Sequence, residues 1–526
     1  MQKNNRRMPS GVAVKALNRH VRVLAERKGI QALVLFIIGI AFYLCIGQEW
    51  IAIEKDSAFY LDPTLKNNGV MPVYPLFLFG IRIIFGENLY LGATVVVQSL
   101  LAIFCTMLFV LYLQSIFRLR FMELILCYVL AMLPFTIELP RVGITHGILT
   151  EGVAYALFYI YFIFVLKYVF FKKIKWILAV AMMAVLMGLI RSQMIFLLMV
   201  TAVIYVSVEL AKRKGRKLGR RIAGTAIDLC ISAVGVCVLI FLIYQVRDCY
   251  LTYAVPVMVR MEQRNGKPDD ESEATEVKET QTAASGQTKK SGSISQMTNL
   301  IIIKGFYEAD EADVELFDTP HMQEIFRRAY AVTDELGYRY VYARQDLYMW
   351  HDLVKDKMGG VVAREVRSYL EENPDVPLSA AQAVRELGMK VLLKHFDRYL
   401  YHTIRLMIPG FIASVFFQIE RIYFLCHIIT LLLFAIAVTG VIYCMKNSRD
   451  HRAAVFMIVT VGVIIMMVGI INLIFTGLQR YMVYMMGIFY CNMYLLMKNT
   501  VITVAQRFPQ NRLLVGVART LGGQEG

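Results

Sequence analysis

Ten long apolar runs constrain this chain more than any other feature of its sequence. A helix of about 20 apolar residues is long enough to cross the hydrocarbon core of a bilayer. The runs cover residues 30–49, 89–117, 121–138, 147–171, 176–191, 193–210, 222–246, 421–444, 453–475 and 481–497. Of the 526 residues, 57% are hydrophobic and only 18% are charged, whereas soluble domains are nearer a quarter charged. We therefore predict an all-α polytopic membrane protein and exclude a soluble enzyme.

The Lys and Arg residues are concentrated in alternate loops between these runs. The basic segments are 1–29, 118–120, 172–175, 212–221 and 446–452. Because a bilayer retains basic loops on its cytoplasmic side, we predict a plasma-membrane protein with cytoplasmic tails at 1–29 and 498–526. This topology accounts for the net charge of +16, so nucleic-acid binding is not predicted.

The cysteines exclude two further classes of protein. Nearly all of the nine lie inside apolar runs, and none forms a Cys-x-x-Cys pair or a Cys/His cluster. Neither a zinc site nor a disulfide framework is therefore predicted. The first apolar run follows a long basic tail without a convincing cleavage site, so we expect it to remain as the first span.

Two outward segments are long. The first, 50–88, lies within an N-terminal transmembrane core at 30–246, and the second, 247–420, separates that core from C-terminal spans at 421–497. The second segment is predicted to be mainly helical, with a disordered insert at 262–295 and helices over 314–372. An amphipathic pattern at 379–400 is typical of a helix lying in the membrane interface. The apolar stretch 401–418 is not predicted to span, because a span there would place the basic loop 446–452 outside.

The first outward segment carries acidic residues directly after the first span. Asp56 stands there with Glu54 nearby, and Ser57 begins a predicted short helix, with Pro75 suited to begin a second one. Both helices are expected to lie along the interface. A carboxylate shielded by apolar helices can act as a general base, and Asp56 or Ser57 can equally cap the short helix.

Further charged residues stand in the other outward loops. Glu151 begins a span, where it is either a helix-terminal carboxylate favoured by the dipole or a functional group. His146 is expected to be an exposed loop histidine. Arg191 can reach the lipid headgroups or bind a phosphate. With Arg141 and Arg480, it places three cations at one membrane face, which indicates an anionic lipid ligand.

The order of these segments resembles the GT-C superfamily of integral-membrane glycosyltransferases. The similarity is closest to bacterial members related to protein O-mannosyltransferases and lipid A aminoarabinose transferases, and to the RgtA/B/C/D-like domain. The residues that carry it are Asp56, Tyr60, Gly69, Pro72, Tyr74, Pro75, Phe85, Gly86, Gln98, Thr150, Glu151, Arg191, Arg480 and Tyr481. It covers residues 30–200 well and the C-terminal runs loosely.

The resemblance implies that a sugar is transferred from a polyprenyl-phosphate donor to an acceptor hydroxyl on the outer face of the membrane. The acceptor is a lipid, a glycan or a protein. Asp56 would be the catalytic base, with Glu54 as the alternative, because some relatives carry an adjacent acidic pair. The implied donor-phosphate and substrate-binding residues are Arg141, His146, Glu151, Arg191, Arg480 and Tyr481. The implied structural residues of the first loop are Tyr60, Pro72, Tyr74 and Pro75.

Some relatives also bind a divalent metal, but the sequence shows no ligand set for one. Three other functions remain open. The first is a flippase or transporter of lipid-linked saccharides, although the chain has no clear internal repeat. The second is an O-antigen-type polymerase or ligase without an aspartate-based mechanism, and the third is a non-catalytic envelope protein.

Overall fold

The computed structural model describes most of the chain as α-helix. The described residues are 28–45, 51–53, 57–61, 70–136, 144–213, 215, 217–265, 305–339, 347–416, 423–474 and 482–522. Within those ranges the one β-interaction is an isolated parallel bridge between Ala52 and Gly147. The predicted all-α architecture is confirmed for this part of the chain.

The described residues of the N-terminal half form ten α-helices and two 3-10 turns. The α-helices are α1 Lys28–Cys45, α2 Ala58–Leu61, α3 Val73–Phe85, α4 Tyr90–Phe117, α5 Phe121–Met132, α6 Thr150–Phe171, α7 Ile174–Ile190, α8 Phe196–Lys212, α9 Leu218–Cys249 and α10 Val255–Asn265. The 3-10 turns are Leu133–Thr136 and Ser192–Ile195. A five-residue π-helix, Tyr250–Ala254, joins α9 to α10 without a break.

The C-terminal half forms a helical insert and a second group of apolar helices. The insert contains a 3-10 helix at Glu311–Leu316, then α11 Pro320–Glu335, α12 Leu347–Glu372 and α13 Ala380–Lys394. The remaining helices are α14 Phe396–Val415, α15 Tyr423–Asn447, α16 Arg452–Ile474, α17 Met486–Arg507 and α18 Arg512–Thr520. A short 3-10 helix, Val483–Met485, precedes α17.

Seven segments among the described residues are long and apolar enough to cross a membrane. They are Lys28–Cys45, Tyr90–Phe117, Thr150–Phe171, Ser192–Lys212, Leu218–Met261, Phe424–Asn447 and Arg452–Leu473. Each overlaps one of the ten predicted spans, so a multi-pass membrane protein is confirmed. The predicted spans 121–138 and 176–191 correspond to shorter apolar helices, Phe121–Thr136 and Ile174–Ile190. The span at 481–497 corresponds to α17, which carries Lys498 and Arg507 and is not among the seven.

The basic turn between α15 and α16 meets the ends of α4 and α17 at one end of the helical bundle, which we call the basic end. The Arg452 guanidinium donates to the carbonyl of Ile116 (2.9 Å), joining the start of α16 to the end of α4. Arg507, at the end of α17, donates to the side-chain oxygen of Asn447 at the end of α15 (3.1 Å). Helix polarity therefore places the start of α6 and the end of α16 at the other end, which we call the Glu151 end.

Close packing between helices is best seen at Gly487, near the start of α17. A Cβ at this position would lie 2.8 Å from the carbonyl oxygen of Ala131 and 2.9 Å from its Cα. Real Cβ atoms rarely approach backbone atoms this closely, so only glycine allows α17 to pack here against α5.

We expect Gly487→Ala to lower the free energy of unfolding by about 1–3 kcal/mol, because the backbone of α5 must move to admit the methyl group. Gly462→Ala on α16 is the matched control, since a Cβ there meets no atom within 4 Å. Thermal unfolding of the detergent-solubilised protein measures both variants. Equal midpoints for the two would contradict the close packing of α5 and α17.

The helical insert has a hydrophobic core of its own, separate from the core of the bundle. Its buried side chains include Phe306, Phe317, Ile325, Phe326, Met358, Val366, Leu387 and Val391. The helices predicted over 314–372 are confirmed in type, although Leu336 is 47% exposed and does not join this core.

The amphipathic pattern at 379–400 proves to be divided between two helices. On α13, Leu387 and Val391 are buried against the insert, whereas Phe396 and Leu400 on α14 are 52% and 42% exposed, so protein covers only part of the predicted apolar face. Ser379 caps α13 by accepting from the backbone N–H of Gln382 (3.3 Å). His395 ends α13, and α14 then runs through the stretch 401–415. An amphipathic pattern does not specify whether lipid or protein covers its apolar face.

The buried carboxylate of Asp313 links the end of α13 to the 3-10 helix at the start of the insert. Asp313 is fully buried. Its carboxylate accepts hydrogen bonds from Lys394 Nζ (2.6 Å) and from the backbone N–H of Asp310 (2.8 Å). It also contacts His395 Nε2 at 2.9 Å. Burial alone would raise the pKa of Asp313, but the hydrogen bonds from Lys394, Asp310 and His395 outweigh it and hold the pKa below its usual range.

This arrangement gives a pH prediction for the insert. A carboxyl with a depressed pKa stabilises the fold above its ordinary value of 3.8 and loses that contribution as the pH falls through the lower folded value. We therefore expect amide exchange in α13, corrected for its intrinsic pH dependence, to be constant from pH 7 to about 5 and faster below about 4. Asp313→Asn should exchange faster already at pH 7. Wild-type exchange that accelerates between pH 7 and 5 would contradict this role for Asp313.

Candidate functional site

The first loop is attached to the loop that precedes α6. The backbone N–H of Ala52 donates to the carbonyl of His146 (3.0 Å), and the carbonyl of Ala52 accepts from the N–H of Ile148 (3.0 Å). Ala52 lies two residues before Glu54, and Ile148 lies three residues before Glu151. This bridge therefore brings the stems of the two acidic segments together at the Glu151 end.

A buried glutamine on α4 holds the loop before α6 in place through hydrogen bonds. Gln98 on α4 is fully buried, and its Nε2 donates to the carbonyls of Thr145 and Gly147, both at 3.1 Å. Its Oε1 accepts from the hydroxyl of Tyr74 on α3 (3.0 Å). Gly152 leaves room for the glutamine, because a Cβ there would lie 3.0 Å from the amide. One side chain thus ties α3, α4 and the loop before α6 together.

A buried ion pair joins the start of α6 to the end of α7. Glu151 and Arg191 form a salt bridge, with side chains only 5% and 8% exposed. The same guanidinium Nη1 donates to the hydroxyl of Thr150 (3.1 Å), and its Nε donates to Gln193. A carboxylate in the first turn of α6 is also favoured by the helix dipole. Both interpretations of Glu151 made from the sequence are therefore compatible with the structure.

Arg191 can reach this position because the chain is extended there. Its φ of −149° and ψ of 123° separate α7 from the 3-10 turn Ser192–Ile195. Its N–H still bonds to the carbonyl of Met187 (2.9 Å), and its carbonyl accepts from the N–H of Met194 (2.9 Å). The guanidinium is therefore held by its backbone as well as by its partners, so it is prepositioned at the Glu151 end.

His146 is not the exposed loop histidine that the sequence predicted. Its residue is only 2% exposed, and its ring lies 6.2 Å from the ring of Tyr43 on α1. Burial lowers the pKa of His146, so the imidazole is neutral near pH 7. The prediction failed because the residues that cover His146 come from α1 and from the Ala52 bridge, both remote in sequence.

The structural residues of the first loop lie next to this site. Tyr60 on α2 packs edge-on against Tyr74, with ring centroids 5.2 Å apart. Pro72 immediately precedes α3, and Pro75 is its third residue, so the predicted second helix begins two residues earlier than expected. Tyr74 is 1% exposed and interacts electrostatically with Glu151. The loop is thus coupled to the ion pair through one tyrosine.

Several predicted site residues lie outside the described part of the chain. They are Glu54, Asp56, Arg141, Arg480 and Tyr481. Two described residues next to them in the sequence, Ser57 and Met482, are both fully buried.

A divalent metal site finds no support in the described ranges. No group of three or more His, Cys, Asp or Glu side chains there could hold a metal ion. Among the residues that the structure brings together at the Glu151 end, one carboxylate is already paired with an arginine. Their chemistry therefore suits an anion or a hydroxyl group better than a cation.

Sequence reasoning missed the polar side chains that hold the site together. Thr145 is fully buried, and its Oγ1 lies 3.2 Å from the hydroxyl of Ser99 on α4. Gln193 contacts Arg191. The sequence could have pointed to these residues, because each one interrupts or borders an apolar run. A polar side chain in an apolar environment needs a hydrogen-bond partner.

Comparisons with family models, with curated proteins and with solved structures found no match for this chain.

Proposed function

We propose that this protein is a membrane glycosyltransferase that moves a sugar from a polyprenyl-phosphate donor to an acceptor hydroxyl. The observation that carries the proposal is the buried Glu151–Arg191 pair at the end of the bundle where the first loop is anchored. The resemblance to GT-C enzymes implies that these segments meet, and the bridge at Ala52 joins them. In the proposal this end faces the outside of the cell.

In the proposed reaction, Asp56 accepts the proton of the acceptor hydroxyl while its oxygen attacks the anomeric carbon of the sugar. The bond between that carbon and the phosphate oxygen breaks, and the negative charge passes to the polyprenyl phosphate. No redox step or nucleotide is needed, since the donor is already activated. General-base assistance of this kind contributes about 10²–10⁴ to the rate.

Arg191 is the described residue best placed to receive the departing phosphate. Its charge is already balanced by Glu151, so binding a phosphate requires the guanidinium to be shared between the two anions. A charged group that is fixed before the reaction stabilises developing charge without reorganising. In the proposal, Arg141 and Arg480 add the positive charge that one shared arginine lacks.

His146 and Tyr74 complete the proposed site as neutral groups. Because burial lowers its pKa, the His146 imidazole adds no charge to the site at neutral pH. Tyr74 connects the first loop to Gln98 and to Glu151. These contacts support a role in holding the first loop against α6, so that its carboxylates face the donor.

Mass spectrometry of lipid extracts tests the proposal directly. Cells that lack the gene should accumulate an unused polyprenyl-phosphate sugar and lose the matching sugar from a surface lipid, glycan or protein. Restoring the wild-type gene should reverse both changes. If neither pool changes on deletion, the protein is not a transferase of lipid-linked sugars. Accumulation of the donor confined to the inner leaflet would instead indicate a flippase.

A further inference from the structure

A groove on the side of the bundle lies between α14, α15 and α16, away from the candidate site. It has a volume of about 340 Å³, and its lining is almost entirely apolar. Its lining includes Ile408 and Ile412 of α14 and Thr430 and Leu431 of α15. An engineered cavity of about 150 Å³ already admits benzene, so this groove has room for a segment of hydrocarbon chain.

The groove has a buried floor and an exposed apolar rim. Ile412 and Thr430 on the floor are 3% and 2% exposed, whereas Ile408 and Leu431 on the rim are 60% and 69% exposed. The rim continues onto α15 and α16, which are both long and apolar enough to cross a membrane. In a bilayer, the medium that meets this rim is the acyl chains of lipids.

The hydroxyl of Thr430 distinguishes this groove from an ordinary packing defect. Its Oγ1 is buried and has no hydrogen-bond partner among the described residues. Threonines inside helices usually donate to the carbonyl four residues earlier. Thr439 on the same helix does so, with its Oγ1 2.7 Å from the carbonyl of Ala435. An unbonded hydroxyl in an apolar environment is costly, so a ligand with an acceptor atom is expected here.

A positively charged side chain, Arg405, lies on the same helix, α14, as two residues that line the groove. Arg405, Ile408 and Ile412 share one face of the helix, because they are spaced by three and four residues. Arg405 is exposed and lies one turn before Ile408 on α14, whose Tyr399 hydroxyl donates to the carbonyl of Leu473 near the end of α16. No ion pair to Arg405 is present in the described ranges; its guanidinium carbon lies 5.8 Å from the ring of Tyr401.

We propose that this groove binds one acyl chain of a bilayer glycerophospholipid. The chain fills the space over Ile412, Thr430 donates to an ester carbonyl of the glycerol, and Arg405 binds the phosphate. A glycerophospholipid offers all three groups in this order, from apolar tail to anionic headgroup. The bound lipid joins α14 to α15 and acts independently of the proposed transfer reaction.

Native mass spectrometry of the full-length protein with added dioleoyl phosphatidylglycerol tests this site. Wild-type protein should retain one phospholipid that Ile412→Trp loses, because the indole fills the groove. Ile436→Trp on the same helix as Thr430 is the control, since Ile436 is 47% exposed and does not line the groove. Equal retention by the two tryptophan variants would overturn the proposal.

A second pair of variants removes only a hydroxyl and does not depend on the tryptophan variants folding. Thr430→Val should weaken retention of the lipid by about three- to tenfold, as expected for one lost hydrogen bond. Thr439→Val should leave retention unchanged, because that hydroxyl is bonded within its own helix. Equal affinities for the pair would refute the role of Thr430.

Displacement of the phospholipid by equimolar undecaprenyl phosphate would show that a prenyl chain is the occupant, and it too would overturn the proposal.

Discussion

Asp56→Asn is expected to lower turnover of the polyprenyl-phosphate sugar by about 10²–10⁴-fold, the usual contribution of a general base. The amide has nearly the same shape as the carboxylate but cannot accept the proton of the acceptor. Donor binding should change little, since the phosphate is held by arginines in the proposal. Turnover is measured with purified protein in vesicles, and donor retention is measured in parallel.

Glu54→Gln is the matched variant for this experiment. If Asp56 is the base, Glu54→Gln should keep most of the activity, and the reverse result would assign the proton transfer to Glu54. Unchanged thermal midpoints would show that both variants are folded. If both keep full turnover, the aspartate-based mechanism is wrong, and a polymerase, ligase or transport function gains support.

The second large effect concerns the ion pair between Glu151 and Arg191. Removing one partner leaves the other charged and buried, which typically costs about 3–5 kcal/mol. We expect that loss of stability for Glu151→Gln and for Arg191→Met. The double variant should be more stable than the sum of the two losses predicts, because neither charge is then left unpaired. Reversible unfolding in mixed detergent and dodecyl sulfate measures all three.

Arg82→Gln provides the control for this comparison. Arg82 pairs with Glu87 on the surface, where the two side chains are 25% and 54% exposed. Exposed ion pairs contribute about 0–1 kcal/mol, so this change should be nearly neutral. Should Arg191→Met be as mild as Arg82→Gln, the guanidinium must be hydrated and cannot be the fixed group that the proposed mechanism uses.

The spanning helices were the most predictable part of the fold. Seven of the ten predicted spans overlap helices that are long and apolar enough to cross a membrane, because a bilayer imposes one length and one composition on such helices. The shorter helices α5 and α7 were recognised as apolar. Their ends were less predictable, since side chains at helix ends find partners in neighbouring segments.

The partners of individual side chains were much less predictable than the helices. Local sequence could not show that Glu151 pairs with Arg191, 40 positions away, or that His146 is covered by α1. The pattern at 379–400 indicated helix, but it could not show that Leu387 packs against the insert while Leu400 stays exposed. Periodicity specifies which face of a helix is apolar, whereas the covering surface depends on tertiary structure.

The uninterrupted helix from Leu218 to Asn265 has a geometric consequence. The 44 residues of Leu218–Met261 are about 66 Å long at 1.5 Å per residue, roughly twice the thickness of the hydrocarbon core. A helix of this length exceeds one hydrocarbon core, so part of it lies outside the membrane when the rest spans it. The helix packs against α7 near its middle, where a Cβ on Gly188 would lie 3.0 Å from Cδ1 of Ile243, so its two ends extend well beyond this point of close packing.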